Sequence, residues 1–373
     1  MVDHGWLTNL DKTGSGSVVD GLVLVEGYCR ARRPPDEVAI MEKAEEYGAT
    51  AVFFEAGREG RPALAQALVF VSGGPARDQS FAQLHQRLWS WGGVPLVYRV
   101  TPGLVQLFRC AHKADFELKG ELTFKPYKTL KLASQIANDP WWDAERLRNG
   151  TLWDDPAVCK TFMSGNLAAA KTLIKEVKCL HEKLEEKGVL PKHLRRKLLI
   201  LSLLIAYLEA RKVFEDGLFA RFLPDATRFF EVLADGSALV SLLGHLEERF
   251  NGHVFCLSKE DAETLRDSRQ LARFARLIEG LQESSGKLTL WQRYSFADLP
   301  IELISHIYQL FVSDTAVAVY TPPFLVRLML GEVLSPERLD RLEREREIIL
   351  DPACGSGIFL VEAYKRLVLH WRS

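Results

Sequence analysis

The chain has 373 residues, 47% of them hydrophobic and 26% charged, with a formal net charge of −1. That length carries two or three domains rather than one, and the near-neutral balance excludes a generally basic nucleic-acid coat, so any DNA contact must come from local patches. The scattered Cys29, Cys110, Cys159, Cys179, Cys256 and Cys354 make no CxxC pair or Cys/His cluster, which argues against zinc and fits reduced cytosolic thiols.

Residues 1–20, with Gly14-Ser15-Gly16-Ser17, read as a weakly ordered leader without a charged-then-apolar signal segment, and a cytoplasmic location is expected. From Gly21 the pattern turns to regular elements. Leu22–Val25 predicts a strand, Asp36–Tyr47 a helix, Ala51–Phe54 and Ala67–Val71 two β-rich runs, and Gln79–Trp91 a helix. Pro95–Val100 and Val105–Arg109 predict a hairpin across Thr101-Pro102-Gly103. An α+β domain over residues 1–120 is the result. Its element order invites comparison with restriction nucleases of the PD-(D/E)xK type, which hold Mg2+ with an Asp and a Glu-x-Lys on adjacent strands. Here Glu55 ends one strand, but the next carries Ala67, Val69 and Val71 with neither carboxylate nor Lys. A degenerate nuclease-like fold is therefore expected, with Glu55 as its candidate catalytic residue, and Arg58, Gln66, His85, Arg87 and Arg99 as polar positions able to face DNA.

Residues 121–312 read as a mainly helical connector. It opens with loops bearing Trp141, Trp142 and Trp153, whose expected role is to wedge domains together. Helices are predicted over Leu167–Lys187, Pro191–Phe214, Ala226–Leu233, Ser237–Arg249, Lys259–Asp267 and Leu271–Ser284, with a turn and a short strand over Phe250–Phe255. The run Leu198–Leu208 is about half the ~20 residues of a bilayer span and reads as a buried helix. The basic start Lys192–Lys197 admits two readings, a phosphate contact or a charged cap on a buried helix. Glu209 and Arg211 read as structural ion-pair residues. A further helix is predicted from Leu299-Pro300 onward.

Residues 313–373 carry the strongest motifs. Thr321-Pro322-Pro323-Phe324-Leu325-Val326 reads as an N-cap and a proline-set first helical turn. A charged helix and loop follow over Ser335–Glu347. Ile348-Ile349-Leu350 then predicts a strand running into the turn Asp351-Pro352-Ala353-Cys354-Gly355-Ser356-Gly357 and an apolar helix over Ile358–Leu369. Glycines in such a turn let the backbone approach a ligand, and the helix start offers unpaired N–H groups.

The heptapeptide 351–357, preceded by Thr321–Val326, resembles the paired cofactor motifs of γ-type N6-adenine DNA methyltransferases. The upstream chain resembles the long N-terminal half of bifunctional, type IIG-like restriction–modification methylases. The resemblance implies an α/β and α architecture: a nuclease-like domain, a helical connector and the start of a Rossmann-type methyltransferase domain. It implies S-adenosylmethionine as cofactor, contacted by Tyr320, Thr321, Pro322, Asp351, Ala353, Cys354, Gly355 and Gly357, and DNA as partner. The family's catalytic Asn/Asp-Pro-Pro-aromatic tetrapeptide does not follow Gly357 within the 373 residues, and Asn138-Asp139-Pro140-Trp141 is no substitute for it. Methyl transfer is accordingly expected only on completion by missing residues or a partner chain. The alternatives are a non-catalytic DNA-binding or assembly subunit of a phage-defence complex and a metal-dependent nuclease.

Overall fold

The computed structural model describes residues 21–30, 33–56, 64–71, 78–101, 104–110, 115–116, 122–123, 126–131, 144–162, 169–250, 254–279, 290–301, 303, 321, 323–354 and 357–372. The chain is mixed α/β and divides into two compact units. One comprises Met1–Asp115, Leu122–Ala168 and Thr321–Ser373, the other Phe116–Glu121 and Ala169–Tyr320.

In the first unit a six-stranded mixed sheet is built from β1 (Leu22–Leu24), β2 (Ala51–Phe54), β3 (Ala65–Val71), β4 (Leu96–Thr101), β5 (Leu104–Arg109) and β6 (Lys128–Lys131), in that spatial order. The predicted hairpin is present: Leu96 pairs with Arg109 and Thr101 with Leu104 in antiparallel register. Strands β3 and β4 instead run parallel, Ala67 opposite Leu96, so their link must cross a face of the sheet. Helix α2 (Asp78–Trp91) makes that crossover.

Period-two alternation divides the strand residues between two cores. Val52, Phe54, Leu68, Phe70, Val97 and Phe108 face one side, where they meet Met41, Ala44, Phe81 and Leu88 of α2 and of α1 (Pro35–Glu46). Ala51, Phe53, Ala67, Val69, Leu96 and Tyr98 face the other and pack with Leu147, Leu152 and Phe162. Those last three sit on α3 (Ala144–Arg148), a single 3-10 turn and α4 (Pro156–Phe162). Apolar cover on both faces explains why every residue of β2 is buried. Strand β6 and this second cover lie in the stretch predicted as connector. Trp153 belongs to the cover and packs against the sheet core; Trp141 and Trp142 lie outside the described residues.

The second unit is helical: α5 (Ala169–Glu186), α6 (Lys192–Ala210), α7 (Phe229–Leu233), α8 (Gly236–Phe250), α9 (Lys259–Arg266), α10 (Ser268–Glu279) and α11 (Leu290–Arg293). The apolar run lies in α6, with Leu198, Leu199, Leu201, Leu203 and Ile205 buried. No helix among the described residues is long and apolar enough to cross a membrane. The short strand predicted after Phe250 is absent at Val254 and Phe255, which sit in a turn and bend; two apolar residues without a neighbouring ladder have nothing to pair with. The helix predicted from Leu299-Pro300 lies mostly outside the described residues.

The basic start of α6 is used internally. Arg195 is buried and donates to the carbonyls of Val189 (3.2 Å) and Leu190 (3.0 Å) and to Glu185 (3.1 Å). Lys197 donates to the carbonyl of Cys256, and His193 pairs with Asp261 at 2.8 Å. The capping alternative therefore fits these residues better than phosphate contact. Glu209 and Arg211 serve separate partners: Glu209 accepts from the Phe229 N–H at 3.4 Å, while Arg211 stacks over Tyr207 and donates to the Leu299 carbonyl.

The C-terminal part of the first unit holds α12 (Pro323–Val333), α13 (Pro336–Glu345) and α14 (Ile358–Arg372). Ser335 caps α13 by accepting from the Arg338 N–H. Val326, Leu330 and Leu334 join Leu339, Leu342, Ile358 and Ala363 in one cluster. Arg366 and Arg372 tie α14 to Asp36 (3.7 Å) and Glu42 (3.0 Å) of α1.

Candidate functional site

The two sequence motifs reach a common core through the helices that follow them. Thr321 is half-buried just before α12, and α12 packs on α14, which follows the glycine-rich turn. Tyr320, Pro322 and Gly355 lie outside the described residues.

The turn folds locally as its residue types require. Asp351 Oδ1 accepts from the Ala353 N–H at 3.2 Å, a short Asp closing a turn on its own backbone. The other carboxylate oxygen, Oδ2, is buried and has no hydrogen-bond partner among the described residues. Pro352, Ala353 and Cys354 are exposed. The Gly357 N–H donates to the Cys354 carbonyl at 2.6 Å, and its own carbonyl accepts from Val361 in the first helical bond of α14. Gly357 has φ +78°, and a Cβ built there would enter open space. Glycine is needed at that position for its backbone rather than for close packing. The arrangement therefore offers a bare backbone, the N–H groups at the start of α14 and a buried carboxylate oxygen without a partner among the described residues. These features fit a polar ligand that carries hydroxyl or amino groups.

The strand predicted over Ile348-Ile349-Leu350 is not formed. Ile349 packs on the helical cluster, whereas Ile348 and Leu350 are 89% and 79% exposed. No neighbouring strand pairs with these three residues among those described, and an unpaired segment gains no ladder hydrogen bonds. Leu328, Met329, Val333, Tyr364 and Trp371 are exposed on the flanking helices. A cleft of about 350 Å³ between α1 and α14, lined by Glu42, Lys43, Tyr364 and Leu369 among others, lies farther along α14 than the turn.

The nuclease-like position is arranged differently. Glu55 follows β2, and its Oε2 accepts from the Gln66 side-chain amide at 3.2 Å. Gln66 Oε1 in turn accepts from the Trp153 indole N–H at 2.5 Å. The Gly150 turn closes over the same carboxylate, so a Cβ there would lie 2.6 Å from Glu55 Oε1. Among the described residues no group of three His, Cys, Asp or Glu is gathered to hold a metal. Glu55 links the sheet to its second cover. The positions predicted to face DNA are also taken: Gln66, His85 and Arg99 are buried, Arg99 lying over the Phe81 ring, and Arg87 pairs with Glu46 at 2.9 Å. Arg58 lies outside the described residues. The chain of Glu55, Gln66 and Trp153 spans 87 residues in its second link, and no local pattern signals it.

Elsewhere, burial pushes the Cys110 thiol up to about 12, which leaves it protonated and unreactive. No protein-family model, curated protein or solved structure matches the chain.

Proposed function

We propose that the chain is the front part of an N6-adenine DNA methyltransferase of the restriction–modification or phage-defence class, with S-adenosylmethionine held at the turn 351–357. The observation that carries this reading is the turn: a positive-φ glycine opening a helix, beside a buried carboxylate oxygen that has no donor among the described residues. Asp351 would accept from the ligand's donors, the exposed backbone of Ala353 and Cys354 would line its path, and the N–H groups at the start of α14 would meet its polar atoms. Thr321 would close the methionine end. The cofactor, when bound, supplies the methyl group, and the target adenine must be flipped from the duplex to reach it.

The exposed Ile348 and Leu350 support completion by further strands. In a doubly wound sheet both faces of a central strand are covered, and here only Ile349 has its cover. The completing strands come from residues beyond this segment or from a partner chain that carries the Asn/Asp-Pro-Pro-aromatic tetrapeptide. The reading is tested by following labelled methyl transfer from S-adenosylmethionine to adenine in duplex DNA, with the chain supplemented by a fragment bearing that tetrapeptide. Transfer that requires both components and falls at least 10-fold with Asp351→Asn is expected. Asparagine still closes the turn on Ala353, so equal transfer by the variant overturns the assignment.

A further inference from the structure

Helix α10 (Ser268–Glu279) divides cleanly into two faces. Leu271, Phe274, Ala275 and Ile278 are buried, and Arg269, Arg273 and Arg276 are exposed. At 100° per residue the three arginines centre on the direction opposite the buried stripe. None has an ion-pair or hydrogen-bond partner among the described residues. Other exposed arginines of the same unit are paired: Arg221 with Glu215 at 2.8 Å, Arg228 with Glu231 at 3.5 Å and Arg249 with Glu215 at 3.5 Å.

Intramolecular electrostatics disfavour Arg269 and the spacing of the row, while Arg276 in the last turn suits the helix dipole. Arg269 occupies the first turn, where the helix dipole prefers an acid, and that turn contains none. Arg269 with Arg273, and Arg273 with Arg276, are like-charge neighbours at helical spacing. Three cations kept in such a row, with no carboxylate paired to them among the described residues, point to an anion outside the chain.

We infer that this arginine face docks the phosphate backbone of duplex DNA. Seven residues of helix rise about 10.5 Å, so the long side chains of this face can reach several neighbouring phosphates of one duplex. Arginine's planar fork suits phosphate oxygens. An anionic membrane fits less well, because Leu271, Phe274, Ala275 and Ile278 are spent in the core and only the half-buried Ala272 and Leu277 remain on the flanks. The choice of DNA rests on the methyltransferase reading; the salt dependence that tests it does not involve the cofactor.

The test measures duplex affinity of the full chain as a function of salt, for wild type, for Arg269→Gln/Arg273→Gln/Arg276→Gln and for the control Arg221→Gln/Arg228→Gln/Arg249→Gln. The α10 triple variant should lower the log–log salt slope by about 2.7, losing about 40-fold less affinity than wild type between 50 and 200 mM salt. The control, with the same charge change, should keep the wild-type slope. Equal effects of the two triples would mean diffuse charge and overturn the inference, as would a wild-type chain that binds no duplex at low salt. Loss of binding to phosphatidylserine vesicles by the α10 variant, with its DNA slope unchanged, would also overturn it. Unaltered DNA binding alongside absent cofactor binding would instead remove the methyltransferase reading alone.

Discussion

Replacing Gly150 by alanine probes the link between the sheet and its second cover. Gly150 has φ +76°, and holding a residue with a Cβ there costs about 1–2 kcal/mol. The new Cβ would lie 2.6 Å from Glu55 Oε1 and 2.9 Å from its carboxyl carbon, so Glu55 must move off Gln66. Losing that hydrogen bond adds about 1 kcal/mol, for a total of about 2–3 kcal/mol. Urea unfolding measures it. In the Glu55→Ala background the crowding disappears and only the backbone cost remains, so the same substitution should cost about 1 kcal/mol less there. Equal costs in the two backgrounds would refute the contact between Gly150 and Glu55. No cost in either would refute the positive-φ argument.

Burial raises the Glu209 pKa above its ordinary 4.5, an effect that the hydrogen bond from Phe229 only partly offsets. The folded state then holds a proton that the unfolded chain releases near pH 4.5, so stability falls as pH rises from there through the folded pKa. Glu209→Gln, which keeps an acceptor for the Phe229 N–H, should flatten that decline in thermal unfolding followed from pH 4 to 7. Ile348→Asp/Leu350→Asp changes two exposed side chains and should shift stability by less than about 0.5 kcal/mol. It should nevertheless abolish co-purification with a completing methyltransferase fragment; retained association would argue against strand addition at this segment.

Much of the fold was legible because local signals sufficed. Alternating apolar runs at Ala51–Phe54 and Leu96–Thr101, and helical spacing through Ala169–Glu186 and Lys192–Ala210, place these elements to within a few residues. What escaped depends on partners distant in sequence. Strands β3 and β4 run parallel because α2 crosses the sheet, which no hairpin-like order announces. Leu147, Leu152 and Phe162 cover a face of the sheet although their stretch reads as a linker. Gln66 and Arg99 carry polar side chains that suggest a surface, yet their bonds to Glu55 and Gln106 lie inside. The glycine turn is legible in sequence because its chemistry is contiguous, whereas the strand predicted before it does not form. An apolar triplet becomes a strand only beside another.

The most direct measurement is calorimetric titration of the chain with S-adenosylmethionine, alone and with a fragment carrying the Asn/Asp-Pro-Pro-aromatic tetrapeptide. Saturable binding at one site is expected, weakening at least 10-fold with Asp351→Asn while the melting temperature holds. Absence of saturable binding in both titrations, or full-strength binding by the variant, would contradict it.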